Sequence, residues 1–244
     1  MLLALAGFAA GAINAAAGGG SLLTFPALVA VGYPPLVANV TNNVAVSPGY
    51  LTGAWGYRAV LRGQRLRIVP LAVLSALGSL VGVGLILISS RGAFEGIVPF
   101  LILGACALLA AQPRIGRRLG ERAGAHERPG IGPLVGQTLA AIYGGYFGAA
   151  LGVAVLALLG VFFEDTLQRL NALKALLQLV IGGAASLGFA LLTPVAWGAA
   201  AIVGSASLAG GVVGARLARR VSDRVLRGGI VAYGVVAAVW LFLR

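Results

Sequence analysis

The sequence predicts an all-α polytopic membrane protein made of two inverted repeats, and three observations predict it. First, the 244 residues are 59% hydrophobic and only 10% charged, with a mean hydropathy of +0.98. A soluble globular domain carries about 25% charged residues. Second, the two halves match at a constant spacing. Displacing the chain by 132 positions, without a gap, sets Gly20 on Gly152, Asn39 on Asn171, Asn42 on Lys174, Gly78 on Gly210, Gly82 on Gly214 and Gly96 on Gly228. A duplicated, almost wholly apolar chain is the pattern of a transporter built from structural repeats. Third, the basic residues cluster in short loops between apolar runs, which is how a membrane protein orients itself.

The elements follow in order. Leu2–Ala17 is an apolar segment with no charged residue before it, read as a first membrane segment and not as a removed signal peptide. It ends in Gly18-Gly19-Gly20-Ser21, and Leu22–Val31 is a second, short segment. Leu36–Tyr57 is a span interrupted by Ser47-Pro48-Gly49, and Ile68–Ser89 and Ile97–Ala111 are ordinary spans. Residues 1–112 form the first repeat. The hydrophilic, Arg-rich linker 113–130 separates it from the second repeat, 131–244. There Ile131–Leu151 leads to the short Val153–Phe163. Leu167–Leu192, interrupted at Gly182-Gly183, follows, and then Val195–Ala215 and Val225–Leu243.

Charge sets the topology. Loops 58–67, 113–130 and 216–227, together with Arg169, hold 15 of the 18 basic residues and are assigned to the cytoplasm. The Pro34 turn then lies outside and the Glu164-Asp165 turn inside. Matching turns on opposite faces make the repeats inverted, about a two-fold axis in the membrane plane. Both ends of Ile131–Phe163 fall inside, and its second arm of about 11 residues spans roughly 17 Å, too short for a ~30 Å core. Two readings remain: helical hairpins that enter from each face and meet at Gly-rich tips, or steeply tilted full crossings. The hairpin reading gives each repeat a re-entrant-type hairpin plus three spans, with broken helices at the centre. Gly78, Gly82, Gly210 and Gly214 are packing seams. Trp55 and Tyr57 are interfacial anchors.

The candidate site is at those tips. Gly18, Gly19 and Gly20 precede a short helix with Ser21 as N-cap. Free N–H groups and the positive dipole end there suit an anion, while the alternative is that the glycines serve close packing. Asn39, Asn42 and Asn43 are costly in hydrocarbon unless satisfied. Asn171 and Lys174 match Asn39 and Asn42, with Gln178 a turn further on. Asn39 and Asn42, like Asn171 and Lys174, lie three apart on one helical face. Amide donors and one ammonium with no acid nearby suit a small oxyanion. Alternatives stand beside this: Asn39 as a helix cap, Asn43 as a helix–helix contact, Lys174 snorkelling to the surface beside Arg169. Asn14 is read as a helix–helix contact, and Glu164 and Asp165 as caps of the following helix.

Several classes fall away. One Cys, one His and one Met leave no soft or imidazole ligand set, so no metal site, cofactor or disulfide is expected. The net charge of +12 reflects loop arginines, not a nucleic-acid face. No acid/base pair or nucleophile set lies in a span, so an enzyme is not expected. All six acids lie in loops or at span edges, so no carboxylate is placed to carry a proton or bind sodium. Coordination of sodium by Asn side chains and backbone carbonyls stays open. An inside-negative potential favours anion exit by ~2.3 kcal/mol per charge per 100 mV.

Gly11, Gly18-Gly19-Gly20-Ser21-Leu22-Leu23-Thr24-Phe25-Pro26 and Ala38-Asn39-Val40-Thr41-Asn42 resemble the first-repeat signature of the sulfite exporter TauE/SafE family. Tyr143-Gly144-Gly145-Tyr146-Phe147-Gly148-Ala149 with Leu170-Asn171-Ala172-Leu173-Lys174 resembles its second. The resemblance covers essentially the whole chain. It implies a bacterial-type inner-membrane permease for sulfur-containing anions such as sulfite, thiosulfate, sulfoacetate or other sulfonates, in a family whose members differ in substrate and direction; export or facilitated diffusion is the expectation from the missing intramembrane acids and the membrane potential. The second repeat departs from it with Ala150-Leu151-Gly152-Val153 in place of a triple glycine, so the tip role transfers to residues 18–20 alone. The partners expected are a small anionic substrate and the lipid bilayer, with a homodimer allowed. The alternatives are a permease for another small anion or carboxylate, or a cation or metal permease.

Overall fold

The computed structural model describes residues 1–16, 19–119, 129–217 and 223–243. Among them are ten helices: α1 (Leu2–Ala16), α2 (Ser21–Ala30), α3 (Pro35–Gly56), α4 (Arg65–Ile88) and α5 (Arg91–Leu119), then α6 (Ile131–Tyr146), α7 (Leu151–Phe162), α8 (Leu167–Leu192), α9 (Trp197–Leu217) and α10 (Asp223–Phe242). Three stretches among the described residues are long and apolar enough to cross a membrane: Arg65–Ile88, Arg91–Ala111 and Leu167–Leu192. The outer surface remains apolar, with Phe100, Leu139, Leu191 and Val236 all exposed.

The helices pack by exchange between the halves. α1 lies on α2 and against α9, and α6 lies on α7 and against α4. α3 packs on α8 and α9, as α8 packs on α3 and α4. α5 meets α10 and α7, as α10 meets α5 and α2. Moving each of these pairings on by five elements therefore reproduces the set. Glycine makes the closest crossings possible, because a Cβ would collide with backbone. It would stand 1.9 Å from Ser207 O at Gly11 and 1.9 Å from Phe8 O at Gly210, across α1 and α9. Across α4 and α6 it would stand 2.2 Å from Ile142 O at Gly82 and 2.1 Å from Ser79 O at Gly145. Gly78 also approaches α6, where a Cβ would stand 2.8 Å from Thr138 O. The side-chain surroundings of Gly214 lie outside the described residues.

Four expectations are corrected. α3 and α8 are continuous, so the centre holds no broken helix. Pro48 sits inside α3 with its ring exposed. The Ser47 and Ser186 hydroxyls both donate to the carbonyl of Asn43, at 2.9 Å and 3.3 Å, and tie the turn beside Pro48 to α8. Gly182 makes room for Tyr50, whose ring would be 2.6 Å from an added Cβ; it provides close approach, not a break. Helix α5 begins at Arg91 and runs on to Leu119, well into the Arg-rich stretch. Ser21 is not the N-cap of α2. Gly20 is, with no side-chain cap, and its N–H donates instead to Asn14 Oδ1 at 2.8 Å. Nor do the acids cap α8. Thr166 does, its hydroxyl accepting from the Arg169 N–H at 3.4 Å.

Candidate functional site

Two hairpin ends and the polar face of α3 come together. The α1–α2 connection turns through Gly19 (φ +94°) into Gly20, and the α6–α7 connection through Gly148 (φ +74°) and Ala150 (φ +54°). Gly18 lies outside the described residues. The second end is tied by its own atoms. The Phe147 and Gly148 N–H groups both donate to Tyr143 O, and the Tyr143 hydroxyl donates to Ala149 O at 2.6 Å. Phe25 of α2 meets Phe147 edge to face, with centroids 5.4 Å apart. The hairpin ends therefore touch through aromatic rings.

α3 reaches both hairpins. Asn39 donates from Nδ2 to Tyr146 O at 2.9 Å, at the end of α6. That bond orients the amide and leaves Asn39 Oδ1 buried without a hydrogen-bond partner among the described residues. Asn42 faces the other hairpin and accepts at Oδ1 from the Thr24 hydroxyl of α2. Its Nδ2 is left over as a donor. Asn43 borders Gly148, where an added Cβ would stand 3.4 Å from Asn43 Nδ2. All three asparagines are buried. At the neighbouring position the Thr41 hydroxyl accepts from the Ala196 N–H at 3.1 Å, tying α3 to the start of α9.

The second half contributes less regularly. Gln178 of α8 lies against Gly152, where a Cβ would be 2.8 Å from Nε2 and 2.9 Å from Oε1. Asn171 and Lys174 are half-buried, and neither makes a hydrogen bond or ion pair among the described residues. The repeat explains the contrast. Thr24, which occupies Asn42, corresponds to Leu156, so at the matching place Lys174 meets no hydroxyl. Of the predicted residues, Gly20, Asn39, Asn42 and Asn43 are joined to the hairpins by these contacts. Ser21 is buried in the first turn of α2 without capping it. Among the described residues no hydrogen bond or ion pair joins Asn171 or Lys174 to the α3 asparagines.

Sequence reasoning missed Thr24, the Tyr146 carbonyl and the Ser47–Ser186 hydroxyl pair that, with Gly182 O, links α3 and α8. A lone threonine in the apolar arm Leu22–Val31 is the one signal that pointed to the first. The carbonyl carries no side-chain signature at all. Among the described residues no group of three His, Cys, Asp or Glu side chains comes together. Apart from Arg169, the polar side chains on α3 and α8 are thus amides, hydroxyls and one ammonium, with N–H donors on Asn42, Asn43, Gln178 and Lys174.

Comparison with known proteins follows the same line. The family model for sulfite exporter TauE/SafE matches residues 3–241. A "Probable membrane transporter protein ORF9" of Sinorhizobium sp is 26% identical over 98% of this chain and 90% of its own length. A "Probable membrane transporter protein YfcA" of Escherichia coli strain K12 is 27% identical over 95% of this chain and 85% of its own. A further "Probable membrane transporter protein" from Haemophilus influenzae is 35% identical, over 47% of this chain and 45% of its own. No solved structure gives a significant match. With its helices, its apolar surface and a family match from end to end, this multi-pass membrane chain belongs to the sulfite exporter TauE/SafE family.

Proposed function

We propose that the chain is a permease for small sulfur-containing anions, among them sulfite, thiosulfate, sulfoacetate and other sulfonates. It works by export or facilitated diffusion. The carrying observation is Lys174, a half-buried ammonium in a helix long and apolar enough to cross a membrane, with no acidic partner among the described residues. Keeping such a charge inside a membrane helix is costly and marks a pathway. Donors on Asn42, Asn43 and Gln178 supplement it, and an oxyanion accepts such donors on several oxygens. The family description supports the substrate class.

The mechanism in this reading is alternating exposure. The two repeats are inverted, α1–α2 and α6–α7 are re-entrant hairpins from opposite faces, and the anion sits between their ends. The exchange of helix pairings between halves supports a two-fold relation. α3 bonds to both hairpins through Asn39 and Asn42, so movement of either hairpin is felt by the site.

The test is anion flux into proteoliposomes. Lys174→Ala and Asn42→Ala should each lower sulfite or sulfoacetate flux by about tenfold or more, as expected for loss of a charge-assisted hydrogen bond. Full flux in both variants would sink the site. One observation favours a second reading. Asn39 Oδ1 is an oriented, buried oxygen without a donor, and an oxygen of that kind suits a sodium ion. Flux that requires a sodium gradient and fails in Asn39→Ala would carry it.

A further inference from the structure

The connection between α3 and α4, residues 57–64, is a chain of tight turns with its own bonding. The Val60 and Leu61 N–H groups donate to Tyr57 O, Arg62 N–H to Ala59 O and Gln64 N–H to Leu61 O. Gln64 is buried and its Nε2 donates back to Val60 O at 3.0 Å. The loop is thus a fixed platform. It presents Arg58 and Arg62, with Arg65 beside them at the start of α4, and all three are exposed. None has an acidic partner among the described residues. Arg67, the fourth arginine of the run, is used differently: it is buried and paired with Asp165.

An apolar girdle adjoins these three exposed arginines. Trp55 is 69% exposed, and Leu51, Leu66 and Val69 are each more than half exposed. The Arg58 guanidinium stacks 4.9 Å above the Trp55 ring and its Nη1 donates to Trp55 O at 3.1 Å. Aliphatic and indole surface next to fixed cations is the layering of a lipid: acyl chain, interface, phosphate. Arginine binds phosphate oxygens through paired N–H groups.

We propose that this platform is a binding site for anionic phospholipid headgroups, with Arg58, Arg62 and Arg65 on the phosphate and Trp55 at the glycerol level. The occupant is a lipid and not a free phosphate, because the apolar girdle would be left bare by an ion alone. The site is separate from the transport pathway, so it stands or falls independently of the substrate assigned above.

The test uses the full chain in detergent and measures lipid retention by native mass spectrometry and thermal stabilisation. The additives are phosphatidylglycerol, phosphatidylcholine and inorganic phosphate. Phosphatidylglycerol should bind and stabilise the unaltered protein, and the other two should not. R58Q/R62Q/R65Q should weaken phosphatidylglycerol binding by roughly a hundredfold, and the milder R62Q/R65Q by roughly thirtyfold, at about fivefold per arginine. A charge-matched R114Q/R117Q/R118Q protein should keep most of it. Equal loss in that control would reduce the effect to net charge and overturn the site. So would unchanged binding in both loop variants. Stabilisation by inorganic phosphate equal to that by lipid would overturn the lipid assignment.

Discussion

The two hairpins occupy matching places in the two halves, yet they are held by different chemistry. α1–α2 is tied at its tip by a side chain, Asn14, which accepts from the Gly20 N–H. α6–α7 is tied by carbonyls of its own turn, with Tyr143 giving both the accepting carbonyl and the donating hydroxyl. The far ends differ more. Asp165, just after α7, accepts from Arg67 of α4 at 2.6 Å and from Arg169 of α8 at 3.1 Å, with Arg67 lying 5.1 Å from the Phe163 ring centre. For the first hairpin the positions that match Asp165 and Arg67 are Tyr33 and, in the second half, Ala199. One hairpin is clamped by charge and the other has no charge to clamp it. The shared feature is the packing frame, and the frame is made of glycine.

That comparison breaks hardest at the frame. Gly11→Val and Gly210→Val each place carbon within 2 Å of a backbone carbonyl on the opposing helix, by the 1.9 Å separations found there. Backbone cannot rotate away, so α1 and α9 must separate. Each should cost about 3 kcal/mol, at the upper end for overpacking. A large loss of melting temperature is the readout. Gly183→Ala, where nothing lies within 4 Å of an added Cβ, should melt within a few degrees of the unaltered protein. If Gly11→Val melted normally, backbone-to-backbone crossing would not be what joins the halves.

The charged clamp is next in size. Asp165→Asn removes the carboxylate that offsets a buried Arg67. The loss should be about 2 kcal/mol, below the range for a fully buried pair because Arg169 remains 41% exposed. The hydrophobic pair R67M/D165L should recover most of it, since replacing both partners of such a pair is often neutral. pH tests the same point. Burial pushes the Asp165 carboxyl up, but the Thr166 N–H and the two arginines outweigh it and hold the group below the usual carboxylate range. Its contribution is therefore complete above about pH 4, the ordinary carboxylate value, and is lost as pH falls through the lowered value. Asp165→Asn should flatten the acid limb of a melting-temperature profile. An unchanged limb would show that other carboxylates govern it.

How much of this was legible beforehand follows from range. The helix order, the duplication and the polar run Asn39–Asn43 are written in local pattern: apolar length, a fixed spacing, and amides where hydrocarbon is expected. The continuity of α3 was not legible, because Ser47-Pro48-Gly49 reads locally as a break, while the turn beside Pro48 is tied to α8 through Ser186, more than a hundred residues away. The same holds for Arg67 and Asp165, each of which looks locally like an ordinary loop charge. The N-cap assigned to Ser21 followed a sound local rule, but Ser21 is already the first helical residue and the cap position falls to Gly20, whose N–H is taken by Asn14 of the preceding helix. In each case a partner brought by the fold overrode a correct local preference.

The finest test concerns the one non-glycine residue with positive φ among the described residues, Ala150 at +54°. It stands where the first repeat has Gly18. Left-handed backbone costs an L-residue about 1 kcal/mol. Ala150→Gly removes that strain, but it also deletes a buried methyl, worth about 0.8 kcal/mol, and frees the unfolded chain. The two losses slightly outweigh the gain, and stability should fall by less than about 1 kcal/mol. Gly148→Ala has no such compensation. Its φ is +74° and an added Cβ would lie 2.9 Å from Gly144 O. That change should cost about 2 kcal/mol, from left-handed strain and the collision together. A large gain from Ala150→Gly would mean that the second hairpin stores strain the first lacks. A negligible loss from Gly148→Ala would mean that the turn refolds around the methyl and that glycine there is not required by the backbone.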